Sequence, residues 1–186
     1  MKYYILYIVV VFSVITSCQT QEKSKQELFE RYINQFELVD LPLDTNILYR
    51  VHNNPIVKSR IDTTYVQNFI DKDYELRLDM PVYDGYAYGI RLPKEDAVYE
   101  TLIHYESNRR EQAFVLNTYS DKGNLLSSLP ISSDSSSYKR TIGEITENRT
   151  ILLKIFTLNQ PDSVSVEMIF EIDEEGMIMP LDTFYN

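Results

Sequence analysis

The chain has 186 residues, a formal net charge of −10, one cysteine, five glycines and no tryptophan. Its hydrophobic fraction of 44% and charged fraction of 25% are those of an ordinary folded domain, which excludes wholesale disorder and a polytopic membrane protein. At this length a single core suffices without disulfides, and an acidic chain with no basic stripe excludes nucleic acid as a partner, because phosphate backbones are gripped by clustered Lys and Arg.

Met1 and Lys2 precede an uncharged, mostly apolar run from Tyr3 to Val14. A run of about a dozen residues fits the apolar core of a secretory signal and falls short of the roughly 20 residues that span a bilayer. Ile15-Thr16-Ser17-Cys18 follows directly and contains the chain's single cysteine. These residues alone also fit an ordinary secretory signal cut nearby, or an uncleaved anchor with a chance cysteine. The segment nevertheless resembles the lipobox of bacterial lipoproteins: an aliphatic residue, two small residues, then the cysteine that is acylated and becomes the first residue of the mature chain. The resemblance implies a signal peptide over residues 1–17, a lipidated Cys18 with a short polar tether over 18–23, and one globular domain over 24–186. It implies a diacylglyceryl thioether and an amide-linked acyl chain on Cys18. At about 0.8 kcal/mol per buried methylene, more than one chain anchors durably where a single chain does not. Gln19 stands where inner-membrane lipoproteins of many Gram-negative bacteria carry Asp, so the resemblance favours the outer membrane and leaves the periplasmic or cell-surface side open.

Ser24-Lys25-Gln26-Glu27 has the form of a capping box and predicts a helix. Its apolar stripe is Leu28, Phe29, Tyr32, Ile33 and Phe36, and Pro42 ends any continuation. A second helix is predicted from Thr63 to Lys72, capped by Asp62 or Thr63 and burying Val66, Phe69 and Ile70. From Tyr74 the apolar period changes from 3.6 to 2, predicting strands near 75–82, 86–92, 98–106, 112–119, 125–131, 138–145, 150–158 and 163–172. Asp84-Gly85 between the first two is a hairpin signal. Tyr86 and Tyr88 share the parity of Ile90 and Leu92 and are read as facing the same core, with hydroxyls at its rim. Residues 163–172 alternate cleanly, as a strand with one wet face does. Ile151 to Leu158 is apolar on both parities, as a strand covered on both sides would be. The expected fold is α+β: a curved antiparallel meander of about seven or eight strands, with the two amino-terminal helices packed on one face. A small closed or nearly closed β-barrel is the alternative.

The candidates for chemistry are sparse. Gly85, Gly89, Gly123, Gly143 and Gly176 are isolated, so no phosphate-binding loop can be assembled from them. His104 and Glu106 share a strand face, and with His52 they form the one weak candidate polar site. A zinc site needs three or four donors, so no metal or other cofactor is expected, and no catalytic residue is assigned. Serine is densest in the loop-like stretch 132–137, without a nucleophile elbow. Asp173-Glu174-Glu175-Gly176 is an acidic turn that lacks the order of a calcium loop. Asp62-Thr63-Thr64 and Asp162-Ser163-Val164 resemble O-glycosylation sites of exported Gram-negative proteins, which makes Thr63 and Ser163 candidates for modification. The expected function is a lipid-anchored envelope lipoprotein that binds or assembles, its partners being the membrane, through Cys18, and an unidentified protein or glycan. The alternatives are an acidic inhibitor or immunity-type lipoprotein that captures a cationic envelope enzyme, and an uncharacterised hydrolase. Oligomeric state is left open. Metabolic labelling with a fatty acid should mark the wild-type chain and spare Cys18→Ser; equal labelling of both removes the anchor assignment.

Overall fold

A computed structural model describes residues 24–44, 60–74, 85–94, 97–107, 111–135, 139–157 and 160–185. Helix α1 spans 24–33 and buries Phe29, Tyr32 and Ile33, with Phe36 following in the turn beyond it. Four of the five residues of the predicted stripe are therefore core, and Leu28 packs at its margin. The start of α1 is fixed by Lys25, whose Nζ donates to Asn124 Oδ1 at 2.6 Å. Helix α2 begins as an α-turn at Thr63–Tyr65 and widens into a π-turn over Val66–Ile70. Asp62 caps it, its carboxylate accepting from the Thr64 amide at 2.8 Å, which meets the first orphan donors of the helix. The wide turn brings Val66 and Phe69 into the same cluster as α1.

The strands are β1 Glu37–Leu38, β2 Leu43–Asp44, β3 Gly85–Arg91, β4 Tyr99–Ser107, β5 Glu111–Ser120, β6 Leu125–Ser135, β7 Lys139–Ile145, β8 Thr150–Thr157, β9 Gln160–Ile172 and β10 Ile178–Tyr185. They form one open sheet in the order β1-β3-β4-β5-β6-β7-β8-β9-β10, with β2 added to β7. The sheet is therefore a curved meander and not a closed barrel. All pairings are antiparallel except that of β1 with β3. The predicted strand at 75–82, and with it the first arm of the Asp84-Gly85 hairpin, lies outside the described residues.

The meander bends sharply at one place. β6 and β7 share only the pairs Ser133↔Thr141 and Asp134↔Arg140, while the far end of β7 pairs with β2 through Leu43↔Ile145 and Asp44↔Glu144. β2 thus supplies partners at the end of this edge of β7 that β6 does not pair with. This bend lets the turn between β9 and β10 cross back over the sheet, where Thr118 on β5 donates its hydroxyl to the Gly176 carbonyl.

The sheet has a core on each face. One face, closed by the sheet's own curl, buries Ile90, Ile103, Phe114, Leu116, Ile131 and Ile151. The other carries the helices and buries Phe29, Tyr32 and Phe69 against Tyr88, Leu102 and Tyr119. The tyrosine reading from parity is corrected here. Tyr86 and Tyr88 do pack, but against the helices, whereas Ile90 and Leu92 face the opposite core. A register shift between Ala87 and Ile90 inserts an extra residue and swaps the faces beyond it. The doubly covered strand is β4, buried from Tyr99 through Tyr105; β8 buries Ile151 and Leu153 fully, while Leu152, Ile155 and Phe156 stay half-covered.

Gly89 sits inside the bulge, and a Cβ there would collide with the Ile103 carbonyl. Because the obstacle is backbone of the central strand and not a flexible side chain, Gly89→Ala should cost roughly 1–3 kcal/mol, the range of overpacked cores. The urea midpoint should fall at an unchanged m-value; an unaltered midpoint would show that the bulge does not need the close approach.

Candidate functional site

His104 comes from the middle of β4 and faces the helices, opposite Val115 on β5. It is only 1% exposed. Its Nδ1 lies 3.2 Å from the Asn117 amide nitrogen, which also donates to the Tyr119 hydroxyl at 3.1 Å. Since the amide nitrogen is the donor, Nδ1 accepts and the ring proton sits on Nε2. Nε2 and Asn117 Oδ1 have no hydrogen-bond partner among the described residues. The Tyr86 ring stands edge-on to the imidazole at a centroid distance of 5.6 Å, with Tyr74 edge-on to Tyr86 in turn at 5.5 Å.

Burial governs the protonation of this cluster. Removal from water pushes the His104 pKa down to about 4, because a charged imidazolium there would lack both solvent and counter-charge. The Tyr119 phenol is pushed up to about 12 by the same burial. Tyr32 and Tyr86 also rise, first through desolvation and then through the Tyr119 phenol and the Glu106 carboxylate respectively. At neutral pH the cluster is uncharged. It offers hydrogen bonds and aromatic edges, but no nucleophile or base in contact with solvent.

The sequence-derived candidates divide accordingly. His104 and Glu106 do lie on one face of β4, but the imidazole is enclosed by Asn117 and Tyr86, while the partly buried Glu106 is the cross-strand neighbour of Tyr86. His52 and Cys18 lie outside the described residues. Thr63 is the first residue of α2 and half-exposed; Ser163 lies within β9. The tyrosines of β3 and β4 serve packing. Tyr88, Tyr99 and Tyr105 are buried, and Tyr32 stacks on Phe69 at 5.0 Å and meets Phe36 edge-on at 5.1 Å, geometries favoured by the ring quadrupole.

One surface concavity, of about 570 Å³, lies between Ala97–Tyr99, Arg149 and Ile172–Glu175. Arg149 adopts a left-handed conformation with φ of 60°. Its guanidinium lies over the Tyr99 ring at 5.7 Å and donates to the Pro93 and Lys94 carbonyls. It therefore ties the β7–β8 turn to the connection between β3 and β4. Close by, Glu100 accepts from Arg91 at 2.9 Å and pairs with Lys94, which also pairs with Asp121. Neither arginine nor glutamate was marked by any motif, since both act through tertiary neighbours. Asp173 spends its carboxylate on its own turn, accepting from the Glu175 and Met177 amides at 2.9 and 2.8 Å.

Among the described residues no group of three or more His, Cys, Asp or Glu is placed to hold a metal ion, and no helix is long and apolar enough to cross a membrane. Comparison of the chain with protein-family models, with curated proteins and with solved structures finds no match in any of the three.

The buried histidine makes stability pH-dependent. A free imidazole binds its proton near pH 6.5 and the folded one only near 4, so between these values the unfolded chain holds more protons and stability falls as pH falls. The full contribution is present above pH 6.5, and on the order of 3 kcal/mol is lost by pH 4, at 1.36 kcal/mol per pKa unit. Urea melts of wild type and His104→Leu across pH 4 to 7 should show a shallower decline for the variant. Parallel curves would refute the role given to His104.

Proposed function

We propose that the chain is a lipid-anchored outer-membrane lipoprotein whose domain binds or assembles without catalysis, and that β10 is the edge to which an extended segment of a partner adds. The lipobox at Ile15–Cys18 supports the anchor. The observation that carries the binding reading is β10 itself. Among the described residues it ends the sheet and pairs with β9 on one side only, and it leaves Met179, Leu181, Phe184 and Tyr185 exposed. A free edge of this kind is a template for strand addition, with main-chain hydrogen bonds supplying affinity and alternate side chains supplying specificity. Pro180 and the irregularity between Pro180 and Asp182 interrupt the edge, and the Asp182 carboxylate occupies the Thr183 amide at 2.7 Å. Such interruptions restrain indiscriminate edge-to-edge aggregation.

Charge narrows the partner. Phe184 and Met179 stand directly beside Glu167 and Glu171 on β9, in a chain of net charge −10. An added strand that alternates apolar and basic residues is complementary to this pattern. A cationic envelope enzyme that presents such a segment is one partner that fits it.

The probe is a pair of synthetic octapeptides, one alternating Lys with Val and the other Glu with Val, added to the full-length protein. The basic peptide should slow amide exchange in β10, and Phe184→Asp should weaken its binding at least about tenfold, equivalent to 1.4 kcal/mol. If both peptides protect β10 equally, or neither does, the edge is not the binding element.

A further inference from the structure

We propose that the end of the sheet bearing the β5–β6 and β9–β10 turns rests on the bilayer surface, with Val98, Leu125 and Met177 seated at the headgroup level. The inference rests on the lipid-anchor reading and adds to it an orientation and a contact surface.

The meander places its connections in two groups. The links from β3 to β4, β5 to β6, β7 to β8 and β9 to β10 all lie at one end. Helix α1 begins at this same end, because Lys25 is bonded to Asn124 in the β5–β6 turn. Only residues 19–23 separate Cys18 from the first described residue of α1. At no more than about 3.6 Å per residue, that tether holds the acyl chains within roughly 20 Å of this end. The opposite end, with the β4–β5 and β8–β9 connections, is a full strand length further away.

Among the described residues, the near end exposes three large apolar side chains. Val98 is 63% exposed, Leu125 44% and Met177 39%. They come from three separate turns, yet their chain neighbours Tyr99, Leu126 and Gly176 converge: a Cβ on Gly176 would stand 2.8 Å from the Tyr99 ring and 3.0 Å from Leu126. Gly176 has a φ of +88°, so the close crossing and the left-handed turn both require glycine there. The contact of Gly176 with Tyr99 and Leu126 fixes the three connections against one another. Arg149 stiffens it further by tying the neighbouring connections together. Lys25, Lys94 and Lys122 lie at this end, as do Asp173, Glu174 and Glu175. With both signs present, charge does not draw the domain to anionic lipid. The acyl chains supply the attachment, and the apolar side chains, which enter the headgroup boundary by roughly 5–10 Å in such contacts, set the tilt. In this orientation the strands rise from the membrane, and β10 presents Phe184 and Tyr185 at the end away from it.

The test uses the full-length acylated protein in phosphatidylethanolamine–phosphatidylglycerol vesicles. Val98→Cys, Leu125→Cys and Met177→Cys are labelled singly with an environment-sensitive thiol fluorophore, which acylated Cys18 cannot take up, and quenched by lipids bearing a headgroup nitroxide. Gln112→Cys and Tyr185→Cys, at the opposite end, are the references. The three near-end probes should lose at least roughly half their emission while the references keep theirs, as expected of side chains at the headgroup boundary. Equal quenching at both ends, or none at the near end, overturns the orientation. If near-end probes escape lipid quenching but are shielded from aqueous iodide, a protein covers the patch and the proposal also falls. The acyl mass on Cys18 and flotation with vesicles are read on the same samples. Their absence overturns the anchor and this inference together, whereas their presence with unquenched probes overturns the orientation alone.

Discussion

A ten-stranded open sheet has two faces to cover, and the helices among the described residues cover only part of one. The architecture follows from that shortage. α1 and α2 cover β3 to β5 on one side, and the other side is covered by bending the sheet until its late strands lie over its early ones. The bend is made where β6 and β7 nearly part, and it is closed by Thr118 reaching the Gly176 carbonyl. Burying β4 on both faces is the outcome, and with β4 goes a histidine that has no access to water.

The helices were legible because their apolar stripe repeats at helical spacing and because Asp62 is a strong capping residue. Most strands were legible because β9, β5 and β4 alternate or carry β-branched and aromatic runs between turn residues. What the sequence concealed was whatever tertiary contact decides. Tyr86, Tyr88, Ile90 and Leu92 share a parity, and only the close approach of Gly89 to Ile103 places the bulge that divides them. β10 has no alternation to detect, since Pro180 and the following irregularity break its period. β1 and β2 are two residues each and exist only as additions to strands already formed. The candidate site was legible in its members and not in its environment: His104 and Glu106 share a face as read, but enclosure by Asn117 and Tyr86 from the neighbouring strands turns a candidate ligand into a neutral element of the core.

The chemistry of the interior argues in one direction. Burial shifts His104, Tyr119, Tyr86 and Tyr32 each toward the uncharged form, as desolvation in a dry core does. Exposed large apolar side chains include those on the edge strand β10 and at three connections of one end of the sheet. On the proposed reading the protein contacts two surfaces, lipid at one end and an extended partner along its last strand.

The seam between β6 and β7 acquires a mechanical meaning from this arrangement. On the proposed reading, with the anchor entering beside α1 and a partner held at β10, tension between envelope and partner runs across the sheet, perpendicular to its strands. The hydrogen bonds are then loaded one pair at a time, and the two register pairs at the seam form the shortest ladder on the path between β3 and β10. The graft of β2 onto β7 carries part of that load around the gap, because β2 belongs to the amino-terminal half and β7 to the carboxy-terminal half. A two-residue strand thereby straps the amino-terminal half of the sheet to its carboxy-terminal half.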